Sequence, residues 1–555
     1  MEASDPRLTF GRFLAEVGPR FGPRRAIVFE GRSLSYSELE REARLLARAL
    51  IGSGVVKGAR VAVHMGNRPE WIVAAFAVGM LGGVLVPVNT FAARAELKYV
   101  LRHSDASVLL MQPGLQKHRF LEDLLAEYPA IALGAPGRLR CLELPQLRRV
   151  ACIGIDASRG GVETWGQLLA HEQGVSDALL DAAISEVEPA DDGLLIYTSG
   201  TTALPKGVLH TQRAAILQSW RFVDFLKLEP EDRVYTTYPF FWTAGIAMSI
   251  GPTLAVGATL LLQEVFEPGE ALALIERERA TAVHAWPHQQ KALGEHPSAS
   301  QRDLRSVRKV DFSAPIAKLA GIEKDEYGTG ASYGLSETFT LSAALPADAP
   351  LELRRQSSGR PLPGMAVRIV DPDTGTPVSG GAPGEIAVKG VTLMRGYYKV
   401  APENAFDADG YFRTQDGGWL DAEGLLHWTG RLSNLIKTGG ANVSPVEIEE
   451  NLAKHPSIRL AVAVGVPHPT LGEVVVLCAV PVEGARIDEA ELRAWLRERL
   501  AAYKVPKRVL AFRADELAYT GNQKVQVAPL REAARQRLEA EGAVIDGHRY
   551  GGADS

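Results

Sequence analysis

Apolar residues along this chain recur at two spacings, and the switches between them lay out its elements. Over residues 35–54, Tyr36, Leu39, Ala43, Leu46 and Leu50 return near every 3.6 residues, which predicts an amphipathic helix. Ser35 followed by Glu38 is the capping pattern that opens one. Residues 59–65, 107–111, 193–197 and 259–262 read as strands with helical windows between them, the pattern of a wound α/β architecture. The most apolar stretch, residues 72–88, is rich in Ala and Gly, contains Pro87 and falls short of the ~20 residues that span a bilayer. A buried helix running into a core strand is expected there, and no transmembrane segment. Residues 134–161 carry Arg and Pro without a period and read as a surface insertion. After Ala366 the runs VRIVDPDTG, GEIAVKG and GLLHWTGR predict short strands joined by glycine turns, a β-rich subdomain. A helix over 444–454, strands near Leu460 and Val474, and a helix over 488–502 compose a compact α+β tail beginning just after Gly430-Arg431.

Composition changes this picture in three respects. A chain of 555 residues with 46% hydrophobic side chains exceeds what one core usually supports, so at least two domains are expected. The net charge of −5, with 23% charged residues and no block of like charges, argues against a nucleic-acid partner. Cys141, Cys152 and Cys478 have neither metal-ligand spacing nor the number for a disulfide framework, which fits buried thiols in a reducing cytoplasm. The start, MEASDPRLTFGRF, has no basic region followed by an apolar one, so no signal peptide is expected.

The segment richest in chemistry is Leu194-Leu-Ile-Tyr-Thr-Ser-Gly-Thr-Thr-Ala-Leu-Pro-Lys-Gly207. A strand delivers a loop of hydroxyls and glycine whose N–H groups can surround phosphate oxygens, with Lys206 adding positive charge. A Walker A loop would need Gly at Pro205 and Ser or Thr at Gly207, so the ordinary P-loop reading fails twice.

The segment resembles the signature loop Tyr-Thr-Ser-Gly-Thr-Thr-Gly-x-Pro-Lys-Gly of the adenylate-forming superfamily of acyl-CoA ligases, peptide-synthetase adenylation domains and luciferases. Later motifs of that superfamily recur in order: Tyr333-Gly-Leu-Ser-Glu337, Gly384-Glu-Ile, Tyr411-Phe-Arg-Thr-Gln-Asp416, Gly430-Arg431-Leu-Ser-Asn-Leu-Ile-Lys437, Gly439-Gly440, Pro445-Val-Glu-Ile-Glu449 and Lys524. The resemblance covers nearly the whole chain. It implies a large N-terminal domain of wound α/β subdomains plus the β-rich subdomain, residues 1–433, and a small mobile α+β domain, residues 434–555, turning about a hinge at Asn434.

The same resemblance implies the cofactors ATP, Mg2+ and coenzyme A, and an acyl-adenylate intermediate. Thr198 and Glu337 would be the magnesium ligands. Ser199, Gly200, Thr201, Thr202 and Lys206 would wrap the triphosphate. Ala331, Ser332, Tyr333, Gly334 and Ser336 would flank adenine and the α-phosphate, and Asp416 with Arg431 would hold the ribose. Lys524 would reach the substrate carboxylate, and Lys206, Glu337, Lys437 and Lys524 are the expected catalytic residues. Gly439, Gly440 and Ala441 would leave room for pantetheine. Ala502-Tyr-Lys-Val-Pro-Lys507 resembles a stretch common in CoA ligases, so Lys504 and Lys507 are expected at the coenzyme A phosphates.

The chain departs from the pattern in places. Pro239-Phe-Phe-Trp242 stands where Pro-Leu-Phe-His is common, and Phe312-Ser-Ala-Pro315 where Gly-Gly-Ala-Pro is common. The apolar surfaces of Phe241, Trp242, Trp286 and Phe312, with Ala314, predict a pocket for a hydrophobic carboxylic acid without a charged far end. Ala203 and Gln523 replace glycines on loops expected at the triphosphate. Four readings stay open at this point: a full acyl-CoA ligase, an enzyme that only converts a preformed acyl-adenylate to a thioester, an adenylating enzyme serving a carrier protein, and a non-catalytic adenylate-binding protein.

Overall fold

A computed structural model describes residues 5, 7–198, 204–372, 374–432, 436–518 and 525–551. The first amphipathic pattern forms the helix Tyr36–Gly52, and its capping box is closed at both ends: Glu38 N–H donates to Ser35 Oγ at 3.2 Å and Ser35 N–H to Glu38 Oε2 at 2.8 Å. Leu39, Leu46 and Leu50 on its apolar face are buried. The apolar stretch that follows becomes the helix Pro69–Met80 and the strand Val84–Pro87, and every residue from Trp71 to Met80 is buried. A helix covered on all sides needs no polar face, which accounts for its unbroken hydrophobicity. Among the described residues no helix is long and apolar enough to cross a membrane.

Two mixed sheets carry the large domain. The eight-stranded sheet runs Gly396–Tyr397, Lys206–Thr211, Asp192–Thr198, Val84–Pro87, Arg60–His64, Val108–Met111, Arg149–Cys152, Val162–Thr164. It is parallel from Asp192–Thr198 through Val162–Thr164 and antiparallel where Asp192–Thr198 meets Lys206–Thr211. The five-stranded sheet runs Ala282–His284, Arg233–Thr236, Thr259–Leu262, Arg25–Phe29, Arg32–Ser35. Between the sheets lies a core that includes Phe13, Trp71, Phe76, Phe222 and Phe240.

Residues 134–161 are not a surface insertion. Leu139, Cys141, Leu144 and Leu147 are buried in the core beneath the eight-stranded sheet, and Arg149–Cys152 is one of its parallel strands. Irregular backbone lets the spacing of these apolar residues change along the segment, so neither the strand nor the helix period is sustained and periodicity could not reveal them. The β-rich subdomain follows expectation as an antiparallel sheet of Met365–Val370, Gly384–Gly390, Phe412–Leu420 and Leu426–Arg431.

From Ile436 the chain builds a separate sheet, Ala441–Val443, Ile436–Thr438, Gly472–Pro481, Ile458–His468, with Arg508–Ala511 pairing parallel to Gly472–Pro481. The helices Pro445–Leu452, Glu489–Arg497 and Val527–Ala540 flank it. The helix expected over 488–502 starts at its Asp488 cap but stops at Arg497, and Ala502–Lys504 forms a separate short turn. Pro506 disfavours helical backbone at Val505, which is extended. The three cysteines are buried and unpaired.

Candidate active site

The strands Asp192–Thr198 and Lys206–Thr211 pair so that Thr198 lies opposite Lys206, at the two ends of the signature loop. Lys206 places its ammonium 5.0 Å from the ring centroid of Tyr397, on the neighbouring edge strand. The Tyr397 hydroxyl donates to Glu337 Oε1 at 2.8 Å. Glu337 sits in the short turn Ser336–Thr338, and its carbonyl accepts from Met394 N–H at 2.7 Å, so both its backbone and its carboxylate are fixed. Thr198, Lys206, Ser336, Glu337 and Tyr397 thereby line one cavity of about 900 Å³. A threonine hydroxyl and a carboxylate facing the same space are hard oxygen donors of the kind magnesium takes. Among the described residues no group of three or more His, Cys, Asp or Glu side chains gathers as a metal site.

The turn before Glu337 is built by close backbone approach. A Cβ at Gly334 would stand 1.9 Å from the Thr340 carbonyl oxygen, so only glycine fits. Ala331 is buried, and Ser332–Tyr333 pairs with Ala343–Ala344. The Tyr333 hydroxyl donates to Asp416 Oδ2 at 2.8 Å, and Asp416 is 2% exposed. Arg431 pairs across the strands with Asp416. Preceding Asp416, Gln415 holds a left-handed φ of 60°, a conformation that costs a non-glycine residue ~1–2 kcal/mol. Its N–H donates to Glu385 Oε1 at 2.8 Å, which anchors the kink. Gln415 and Glu385 both line the 900 Å³ cavity.

An aromatic wall closes the same cavity. Phe241 and Trp242 stand with centroids 5.2 Å apart, Trp242 meets Trp286 at 6.3 Å and 73°, and Tyr238 packs on Trp286 at 4.5 Å. Two of the expected pocket residues are elsewhere. Phe312 is 40% exposed, and Ala314 packs in the core around Leu293 and Ile316. Neither lines a cavity at the wall. Asp311 accepts from Thr329 N–H at 2.7 Å and Ala314 caps the helix Pro315–Leu319, a turn that sends the phenyl ring outward and the methyl inward.

The C-terminal unit completes the enclosure. Gly439 and Gly440 form the tip of the hairpin Ile436–Thr438 to Ala441–Val443, with φ of 56° and 82°. A Cβ on Gly440 would come 2.6 Å from the Trp286 indole, and one on Gly439 would come 3.5 Å from the His288 imidazole. Backbone conformation and lack of space both require glycine at position 440. Behind the wall lies a second cavity of about 480 Å³, lined by Gly439, His288, Lys507 and Asp546. Phe241, Trp242, Trp286, Ala441 and Tyr503 border both cavities. Lys507 pairs with Asp546 at 2.8 Å, and burial pushes His288 below its ordinary value.

Lys504 is not at a phosphate site. It is fully buried, with Nζ 3.0 Å from Glu447 Oε1 and 3.2 Å from Glu96 Oε1, because both carboxylates converge on the turn that carries it. Lys437 also lies away from both cavities. It alternates with the inward-facing Ile436 and Thr438, and its ammonium sits 4.2 Å from the Trp428 ring centroid. Ser199, Gly200, Thr201, Thr202, Asn434 and Lys524, together with Ala203 and Gln523, fall outside the described residues. The sequence gives no local signal for Tyr397, His288 or Glu96, and Glu385 was visible only as part of the Gly384-Glu-Ile motif. Tyr503 was visible only as part of its motif.

Residues 14–398 match the AMP-binding enzyme family, and residues 447–524 match the AMP-binding enzyme C-terminal domain. The chain is 35% identical over 514 residues to a feruloyl-CoA synthase from Amycolatopsis sp, covering 91% of this chain and 95% of that protein. It is 33% identical over 521 residues to an indoleacetate–CoA ligase from Aromatoleum aromaticum, covering 93% and 96%. Among solved structures it is similar to the amide bond synthetase McbA from Marinactinospora thermotolerans, with a TM-score of 0.75, 29% identity, and 95% and 99% of the two chains covered.

Proposed function

This chain belongs to the AMP-binding enzymes, and from that premise we propose that it is an acyl-CoA ligase joining a hydrophobic carboxylic acid to coenzyme A through an acyl-adenylate. The observation that carries the reading is the shared wall: residues expected at the nucleotide and the Gly440–Ala441 segment expected at pantetheine enclose one cavity, and a second opens behind it beside Lys507. In the first half-reaction the substrate carboxylate attacks the α-phosphate of ATP and pyrophosphate leaves. Lys206 and the loop 199–202 bind the phosphates, Thr198 and Glu337 would hold magnesium, and Asp416, with Tyr333 bonded to it, receives the ribose. Magnesium, when bound, neutralises charge on the phosphate oxygens. Lys524, by the resemblance to the family, would reach the carboxylate.

In the second half-reaction the coenzyme A thiol attacks the acyl carbonyl. A carbon–sulfur bond forms, the acyl–phosphate bond breaks, AMP leaves and the thiol proton is released. Rotation of residues 434–555 about Asn434 would exchange the face bearing Lys524 for the face bearing Gly439–Ala441. The described arrangement, with Gly440 against Trp286, fits the second step. Lys507, beside the second cavity, is the cation left to meet coenzyme A phosphates.

Phe241, Trp242 and Trp286 favour an aromatic or otherwise bulky apolar acid, and the relatives named for ferulate and indoleacetate run the same way. Three buried thiols fit a reducing, cytoplasmic setting. The test is a screen of carboxylic acids with ATP, magnesium and coenzyme A, detecting thioester and pyrophosphate separately. A parallel arm replaces coenzyme A with a primary amine, because one similar structure is an amide bond synthetase. Thioester from coenzyme A supports the reading. Adenylate formation with amide as the sole condensed product would overturn it.

A further inference from the structure

The Lys504 site has one ammonium and two carboxylates. Glu447 lies on the helix Pro445–Leu452 of the same C-terminal unit as the lysine. Glu96 lies 408 residues away in sequence, on the helix Arg94–His103 that links two strands of the eight-stranded sheet. All three side chains are at most 9% exposed, and Oε2 of both glutamates is buried without a hydrogen-bond partner among the described residues. Within the C-terminal unit alone, Lys504 and Glu447 make a neutral pair. Docking against the large domain adds the second carboxylate and removes most of it from water, and among the described residues the lysine is the hydrogen-bond partner that offsets this desolvation.

We propose that Glu96 is a positioning residue for thioester formation: it is the large-domain receptor for Lys504 and holds the C-terminal unit where the Gly439–Gly440 turn meets Trp286 and His288. The neighbouring residue follows the same path. The Tyr503 ring meets that of Trp242 at 6.2 Å, and both line the 900 Å³ cavity together with Asn89, so consecutive C-terminal residues dock on the large domain beside the aromatic wall. Glu447 makes the contact reversible. When the unit turns away, Lys504 keeps a partner and Glu96 returns to water, so release strands no buried charge.

The inference rests on the ligase reading, and its test separates the two. Full-length Glu96→Gln and Glu96→Lys variants are compared with wild type in ATP–pyrophosphate exchange driven by ferulate or indoleacetate, and in thioester formation from the corresponding synthetic adenylates with coenzyme A. Gln is expected to lower the thioester rate about 10-fold and Lys, which sets a second ammonium against Lys504, on the order of 100-fold. Exchange stays within about twofold, because Glu96 faces water once the unit turns away. Hydrogen exchange over residues 94–103 and 502–504 rises in both variants, a readout independent of chemistry. Equal loss of both half-reactions, or an unchanged thioester rate with unchanged protection, overturns the role of Glu96. A wild type that makes no thioester from either adenylate overturns the ligase reading instead, and hydrogen exchange alone then decides the docking role.

Discussion

The Tyr397 hydroxyl donates to Glu337 Oε1 at 2.8 Å, which ties the carboxylate expected at magnesium to the edge strand of the eight-stranded sheet. The same ring lies 5.0 Å from the Lys206 ammonium, so one tyrosine sets the spacing of a cation and an anion across the site where phosphate is expected.

Tyr397→Phe keeps the ring and removes the hydrogen bond. A bond to a charged acceptor contributes about 1.5–3 kcal/mol, so adenylation is expected to fall roughly 10- to 100-fold. The magnesium concentration for half-maximal pyrophosphate release should rise, because the carboxylate loses its orientation. A magnesium titration of pyrophosphate release checks both. An unchanged titration would remove Glu337 from the metal assignment.

Gly440→Ala tests the fit of the C-terminal turn. The methyl group would stand 2.6 Å from the Trp286 indole, and the residue would hold a φ of 82° that costs an L-residue ~1–2 kcal/mol. Thioester formation from a supplied adenylate should drop at least ~10-fold. Trp286→Ala in the same chain relieves the clash but not the backbone strain, so recovery should be partial. Full recovery would show that only space matters at this turn.

How far the sequence reached is clearest from particular residues. The helix after Ser35 was legible because one face is apolar at a helical period, and the strands at 60–64 and 108–111 because short apolar runs mark parallel strands buried on both faces. Arg149–Cys152 was not, because the buried residues leading into it lie on irregular backbone. The ordered motifs marked Thr198, Lys206, Glu337, Gly440 and Ala441, and the fold brings these to one cavity. Lys504 misled because a lysine beside Tyr and Pro looks the same whether it faces phosphate or carboxylates, and its partners lie 57 and 408 residues away. Phe312 misled for the opposite reason: its neighbours predict burial, but the turn at Asp311 points it to solvent.

The Lys504 cluster also sets a pH dependence. Burial pushes Glu447 from 4.5 up to about 7, with Lys504 opposing and Glu96 adding to the rise. Lys504 itself stays cationic: desolvation works against its charge, but the carboxylates that meet it hold it above its ordinary range. A carboxyl whose folded value is raised contributes stability that is fully present below 4.5 and is lost as pH rises through about 7. Glu447→Gln removes this titration. The stability of wild type relative to the variant should therefore fall between pH 4.5 and about 7, by up to about 3 kcal/mol. Denaturant melts of both proteins across that window measure the slope, and a difference that does not change with pH would show that Glu447 is ionised throughout.

Ala203 and Gln523 stand where the superfamily's loops carry glycine, and both lie outside the described residues. Glycine at these loop positions permits positive φ and close approach of backbone to phosphate, and an L-residue forced into that geometry costs ~1–2 kcal/mol. Both loops are expected at the triphosphate during adenylation. The elements assigned to thioester formation, by contrast, keep their glycines at Gly439 and Gly440, and the turn is packed against Trp286. Adenylation should therefore be the slower half-reaction, and a supplied acyl-adenylate should give thioester faster than acid plus ATP. Ala203→Gly and Gln523→Gly together should narrow the gap by roughly 10-fold, the equivalent of one such strain relieved. The comparison uses the purified protein with coenzyme A, given acid plus ATP in one arm and synthetic acyl-adenylate in the other. Equal thioester yields from the two arms in the wild-type chain would show that its loops accommodate alanine and glutamine without displacing a phosphate donor.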